Sequence, residues 1–94
     1  MDLYTIFLEF RGGTYIKQVR AIDLNEALDC WAQNIDVHSI SNFGYVSKQQ
    51  LIELMPGRLG QGPIALDRAK NVWCTSARLA TGYALIHIVK TLEE

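Results

Sequence analysis

Residues 3–35 read LYTIFLEFRGGTYIKQVRAIDLNEALDCWAQNI, and this stretch decides the fold. Apolar residues alternate at its start, and Gly12-Gly13 follows, which predicts a tight hairpin turn because glycine tolerates positive φ angles. In the predicted register Phe10 faces Tyr15, and Thr14 to Ile22 forms the returning strand. One face of this hairpin is apolar and the other is mixed, which is typical of an antiparallel sheet with one covered side. The predicted core face of the first strand carries Tyr4, Ile6, Leu8 and Phe10.

A helix is predicted directly after this hairpin. Asp23 can accept hydrogen bonds from the free N–H groups of the first turn, and Glu26 completes a capping-box pattern. The following apolar residues recur at helical spacing and form one continuous stripe. They are Leu24, Ala27, Leu28, Trp31, Ala32 and Ile35.

The second half of the chain predicts one more helix and a second hairpin. Ser47 and Gln50 repeat the cap pattern ahead of a short helix that Pro56-Gly57 ends. Residues 57–70 read as a long irregular connection, with residues 64–66 as a candidate extended segment. Val72 to Arg78 and Gly82 to Leu92 then pair around a turn at residues 79–82. The last strand is apolar on both faces, which suits a central strand.

These elements predict one α+β domain over residues 1–94 with the order β-β-α-α-β-β. A four-stranded, largely antiparallel sheet is expected to carry the two helices on one face. Nearly half of the residues are apolar (49%) and the net charge is −1, so the chain as a whole has no electrostatic reason to bind nucleic acid or an anionic membrane. No apolar run is long enough to span a bilayer. We therefore expect a cytoplasmic protein without a membrane segment, in which Cys30 and Cys74 are reduced thiols.

Catalytic and ligand-binding patterns are sparse. Cys74, Ser76 and His87 share one face of the second hairpin if its turn has an even number of residues, and a four-residue turn places Cys74 directly opposite His87. An imidazole can activate a thiol, but hairpins produce such pairs freely. The glycines at 57, 60 and 62 follow a helix and lack the Gly-Lys-Ser/Thr of a phosphate loop. His38 has too few neighbouring ligands for a metal site. We expect no cofactor, metal or catalytic residue. A small thiol enzyme is the third of our functional hypotheses.

The segment 58–78 is locally basic and contains an aromatic residue, Trp73. Basic side chains beside exposed aromatic rings can hold single-stranded nucleic acid, although a solvated rim on a neutral domain is the simpler interpretation. The candidate contacts for an anion or for nucleic acid are Arg58, Arg68, Lys70 and Arg78.

The opening from Tyr4 to Trp31, with Glu26-Ala27-Leu28 at the start of the helix, resembles the beginning of HicB-type antitoxin domains. The resemblance covers under a third of the chain. This sequence has no third strand before the helix, where those domains have one. The resemblance implies a nucleic-acid-associated regulator of antitoxin type, which is our second functional hypothesis and would act through the segment 58–78.

The outward-facing apolar residues of the first hairpin support a different function. Leu3, Phe7, Ile16 and Ile22 cannot lie on the core face together with Tyr4 and its neighbours, and exposed apolar clusters usually mark a partner surface. The alternative is that the connection 56–70 folds over them. Our first functional hypothesis is a non-catalytic interaction module that forms a homodimer or binds another protein, with nucleic acid not the expected partner.

Overall fold

A computed structural model describes residues 1–55, 64–65 and 70–93. The elements in chain order are β1 (Asp2–Phe10), β2 (Gly13–Ala21), α1 (Leu24–Gln33), a 3-10 turn (Val37–Ser39), α2 (Gly44–Leu54), β3 (Ile64–Ala65), β4 (Val72–Leu79) and β5 (Gly82–Thr91). The α+β class is confirmed. The prediction of four strands is wrong, because the two residues of β3 pair with β4 and add a fifth strand to the sheet.

The sheet is antiparallel throughout, in the order β2-β1-β5-β4-β3. The first and last strands of the chain, β1 and β5, lie side by side in its centre. The predicted central position of the last strand is therefore confirmed. On one face of β5 Ala84, Ile86 and Ile88 are buried in the core, whereas the residues of its other face are half-buried or exposed.

The strand register of the first hairpin differs by two residues from the predicted register. Phe10 pairs with Gly13 and Leu8 pairs with Tyr15, so Arg11 and Gly12 form the turn. Both turn residues have positive φ angles, of 49° and 82°, as a two-residue hairpin turn requires. Because the register differs by two residues and not by one, every side chain stays on its predicted face.

One core forms between the sheet and the two helices. The helix α1 begins at its predicted cap, where the Asp23 carboxylate accepts a hydrogen bond of 2.8 Å from the backbone N–H of Glu26. Its apolar stripe packs against the alternating residues of the sheet, as predicted. The largest completely enclosed side chains of this core are Phe10, Phe43, Ile6, Leu8, Leu28, Leu51, Ile86 and Ile88.

The second helix starts earlier than expected. It begins at Gly44, so Ser47 lies inside it and is fully buried, and the predicted cap at Ser47 is wrong. Among the helices of the described residues, none is both long and apolar enough to cross a membrane.

Candidate docking surface

One face of the sheet, here called the open face, lies opposite the side on which α1 and α2 pack. It follows from the alternation of each strand, because residues paired across neighbouring strands point to the same side. Its members are Leu3, Thr5, Phe7 and Glu9 of β1, Thr14, Ile16, Gln18 and Arg20 of β2, Ile64 of β3, Val72, Cys74, Ser76 and Arg78 of β4, and Tyr83, Leu85, His87, Val89 and Thr91 of β5.

A single row of residues crosses the centre of the open face and touches all five strands. Strand pairing joins Ile16 to Phe7, Phe7 to His87, His87 to Cys74, and Cys74 to Ile64. The two ends of the row are the most accessible, with Ile16 61% and Ile64 70% exposed. With the imidazole of His87 neutral, none of the five side chains of the row carries a formal charge. The middle of the open face therefore presents a band of apolar and weakly polar side chains.

The structure brings together three of the four residues predicted to form an interaction surface. Leu3 and Phe7 lie on β1 and Ile16 lies on β2, all on the open face. The fourth, Ile22, lies one residue beyond β2 in the link to α1 and is 65% exposed. Ile22 therefore extends the apolar surface at the edge of the sheet and lies outside the strand-paired part.

Sequence reasoning missed the contribution of β5 to this surface. Leu85 and Val89 flank His87 on the open face, and Tyr83 continues the line with 55% of its surface exposed. The signal was present in the sequence, because β5 is apolar on both faces. The position of β5 next to β1 could not be predicted from the sequence, because this strand order depends on contacts between the two ends of the chain.

Cys74 and His87 are directly opposite each other across the β4–β5 pair, as one predicted register required. An imidazole beside a thiol can accept its proton. Nucleophilic catalysis also needs a substrate cavity and donors for a developing oxyanion. The pair lies on the open face, and neither residue lines the groove described below. None of the grooves found among the described residues is lined by Cys74 or His87.

The structure describes two of the four basic residues that were predicted to contact an anion or nucleic acid. Arg58 and Arg68 lie outside the described residues, as does most of the connection 56–70, so the alternative in which this connection covers the apolar residues is not tested. Lys70 and Arg78 are both exposed and lie at opposite ends of β4, with Lys70 just before the strand. Two exposed cations separated by the length of a strand do not form a patch. Within this connection, Ile64 and Ala65 form β3 and extend the sheet at its edge.

Two ion pairs lie beside the end of the open face where β1 begins. The Arg20 guanidinium binds both carboxylate oxygens of Glu93, and Lys90 Nζ lies 3.3 Å from Asp2 Oδ2. The hydrogen bond from Arg20, followed by its positive charge, holds the pKa of the Glu93 carboxyl below its ordinary value. Both partners of that pair are exposed, so the pair orients the end of the chain and contributes little stability.

A groove of about 350 Å³ runs along the outer edge of β2, on the side of α1. Its lining combines the rings of Tyr15 and Trp31 with Asp36 and Lys17, and the Tyr15 hydroxyl accepts a hydrogen bond of 3.2 Å from the backbone N–H of Ser41. The groove is partly open to solvent. Ile16, one end of the central row, also lines it, so the groove adjoins the open face at β2.

Within the described part of the chain, no group of three or more His, Cys, Asp or Glu side chains is placed to hold a metal ion. Comparisons of the chain with protein-family models, with curated proteins and with solved structures found no significant match.

Proposed function

We propose that this protein is a non-catalytic interaction module that forms a homodimer through the open face of its sheet. The observation that carries the proposal is the central row, in which Ile16, Phe7 and Ile64 present apolar side chains on the side opposite both helices. Burying apolar surface contributes about 25 cal/mol per Å² before the costs of association are subtracted. A second copy of the chain is the partner we propose, and a two-fold dimer is the commonest closed arrangement.

The dimensions of the open face support a partner of this kind. Four strands spaced about 4.8 Å apart, with about eight residues each at about 3.3 Å per residue, span roughly 500 Å² in projection. Two copies would bury about 1,000 Å² together, which is the lower bound of a specific interface. To bury this area, the open faces of the two copies must overlap almost completely.

The other hypotheses have less support. Of the four basic residues proposed to bind nucleic acid, Arg58 and Arg68 lie outside the described residues, and Lys70 and Arg78 lie at opposite ends of β4. Thiol chemistry would rest on Cys74 and His87 without a substrate cavity among the described grooves. Their position on the open face is also explained if both residues are part of an apolar contact surface.

Sedimentation at micromolar concentration tests the proposal. The wild type should have about twice the 10.6 kDa chain mass, and Phe7→Glu or Ile16→Glu should lower that mass by placing a charge in the interface. The matched control is Val46→Glu, because Val46 is also apolar and 65% exposed but lies on α2. A wild type that sediments as a monomer at every concentration would overturn the proposal, as would an equal loss of mass in the control.

A further inference from the structure

The charged residues of the open face are few and asymmetrically placed. Arg20 is neutralised by Glu93. Glu9 on β1 and Arg78 on β4 are both exposed, and within the described residues neither forms an ion pair. The two lie on opposite sides of the central strand β5, since Glu9 pairs with Leu85 and Arg78 pairs with Tyr83. One uncompensated negative charge and one uncompensated positive charge therefore flank β5 near its first residues.

Two sheets that pack face to face can be related by a two-fold axis in the plane between them, either along the strands or across them. Because the open face is only just large enough for an interface, the axis must pass near its centre, at β5. An axis across the strands at His87 would place Arg78 opposite the partner's Lys70, since these residues are equally far from Cys74 on either side. Like charges facing each other across an interface are unfavourable.

An axis along β5 gives the opposite result. It exchanges the β1 side of one copy with the β4 side of the other, so Glu9 comes to lie opposite the partner's Ser76 and beside the partner's Arg78. Packed sheets are about 10 Å apart, a gap that a glutamate and an arginine side chain can bridge together. The symmetry creates this contact twice. The angle of about 30° that is usual between aligned sheets is reached when each β5 strand is inclined by about 15° to the axis.

We infer that the homodimer has its two-fold axis along β5, so that the two β5 strands pack on each other in parallel and Glu9 of each copy pairs with the partner's Arg78. This inference rests on the proposed function, because it specifies the arrangement of the same interface. Leu85, His87 and Val89 of each β5 then lie against their own counterparts, and Phe7 covers the partner's Cys74.

Charge reversal tests the arrangement by sedimentation equilibrium. Glu9→Arg and Arg78→Glu should each raise the dimer Kd by about tenfold or more, because each variant places like charges together twice. The double variant should recover the wild-type Kd within about threefold, since the pair is restored with its signs exchanged. Glu53→Arg is the control; Glu53 is exposed on α2, and its reversal should leave the Kd unchanged.

The outcomes separate the inference from the proposed function. If the wild type dimerises and Phe7→Glu dissociates it, but the double variant is no tighter than the single ones, the axis along β5 is wrong. If Lys70→Glu tightens the dimer, the axis across the strands is correct instead. If the wild type never dimerises, the proposed function itself fails. Unchanged thermal melting of each variant shows that the effect is on association and not on folding.

Discussion

The hydroxyl oxygens of Ser47 and Thr81 lie 2.6 Å apart and join the interior of α2 to the tip of the β4–β5 hairpin. Thr81 also donates a hydrogen bond of 2.8 Å to the carbonyl oxygen of Phe43, at the start of α2. The neighbouring backbone N–H of Ala80 donates to the Gln50 side-chain oxygen at 2.7 Å. This cluster satisfies polar groups of the turn and of the helix at once, and it fixes the helix against the sheet.

Replacing Ser47 with alanine should lower the free energy of unfolding by about 1–3 kcal/mol. The backbone N–H of Thr81 would lose its acceptor in a partly buried site, and the Thr81 hydroxyl would keep only its bond to Phe43. Chemical denaturation monitored by circular dichroism measures the change. Ser41→Ala is the matched control, since Ser41 is exposed and should change stability by less than about 0.5 kcal/mol. A Ser47→Ala protein as stable as the wild type would show that the cluster is not energetically important.

Ser47 and Gln50 also show what the sequence could and could not predict. Their spacing matches a helix cap, which is a local pattern, but both side chains bond to a hairpin that lies about thirty residues further along the chain. The helix itself was predictable from its apolar residues. Its true start at Gly44 was not, because the side chains that the pattern assigned to capping are used in a tertiary contact.

The same distinction applies to the sheet. Alternation predicted which side chains of β1 face the core, and the faces are correct. The turn was misplaced because Gly12-Gly13 is the stronger turn signal, whereas the chain places Arg11 in the left-handed region and starts β2 at Gly13. The sequence indicated an extended segment at residues 64–66, but the pairing of β3 with β4 and the neighbourhood of β1 and β5 depend on long-range contacts and leave no local pattern.

Gly12→Ala should destabilise the protein by about 1–2 kcal/mol. Gly12 has a φ of 82°, and a β-carbon there would meet no atom within 4 Å, so the cost comes from the backbone conformation alone. Gly12→Asn should cost less, because asparagine adopts this conformation more readily. Thermal melting compares the three proteins. Equal melting temperatures for alanine and asparagine would contradict the assignment of the turn to Arg11 and Gly12.

Asp23→Ala should cost about 0.5–2 kcal/mol by removing the cap of α1. The neighbouring exposed residue Asn25 lies in the first turn but makes no capping bond, so Asn25→Ala should be neutral or slightly stabilising. Urea denaturation of both variants measures the difference. If both substitutions destabilise equally, the hydrogen bond from Glu26 to Asp23 is not the source of the effect.

Cys30 and Cys74 provide a comparison within one molecule for the proposed interface. Both are free and half-buried, but Cys74 lies on the open face, whereas Cys30 lies on α1, with the Asn34 side-chain amide nitrogen 3.6 Å from its sulfur. In the proposed dimer the partner's Phe7 covers Cys74, so at concentrations that favour this dimer a bulky maleimide should label Cys74 slowly.

Dissociation should raise the labelling rate of Cys74 several-fold and leave that of Cys30 unchanged, since reagent access to a thiol follows its exposure. Dilution of the wild type and the variant Phe7→Glu provide two independent ways to dissociate the dimer, and peptide mass spectrometry assigns each rate to its cysteine. The control variant Val46→Glu should behave as the wild type does at the same concentration. Equal acceleration at both cysteines would indicate loosening of the fold, and no acceleration at Cys74 would place the interface elsewhere.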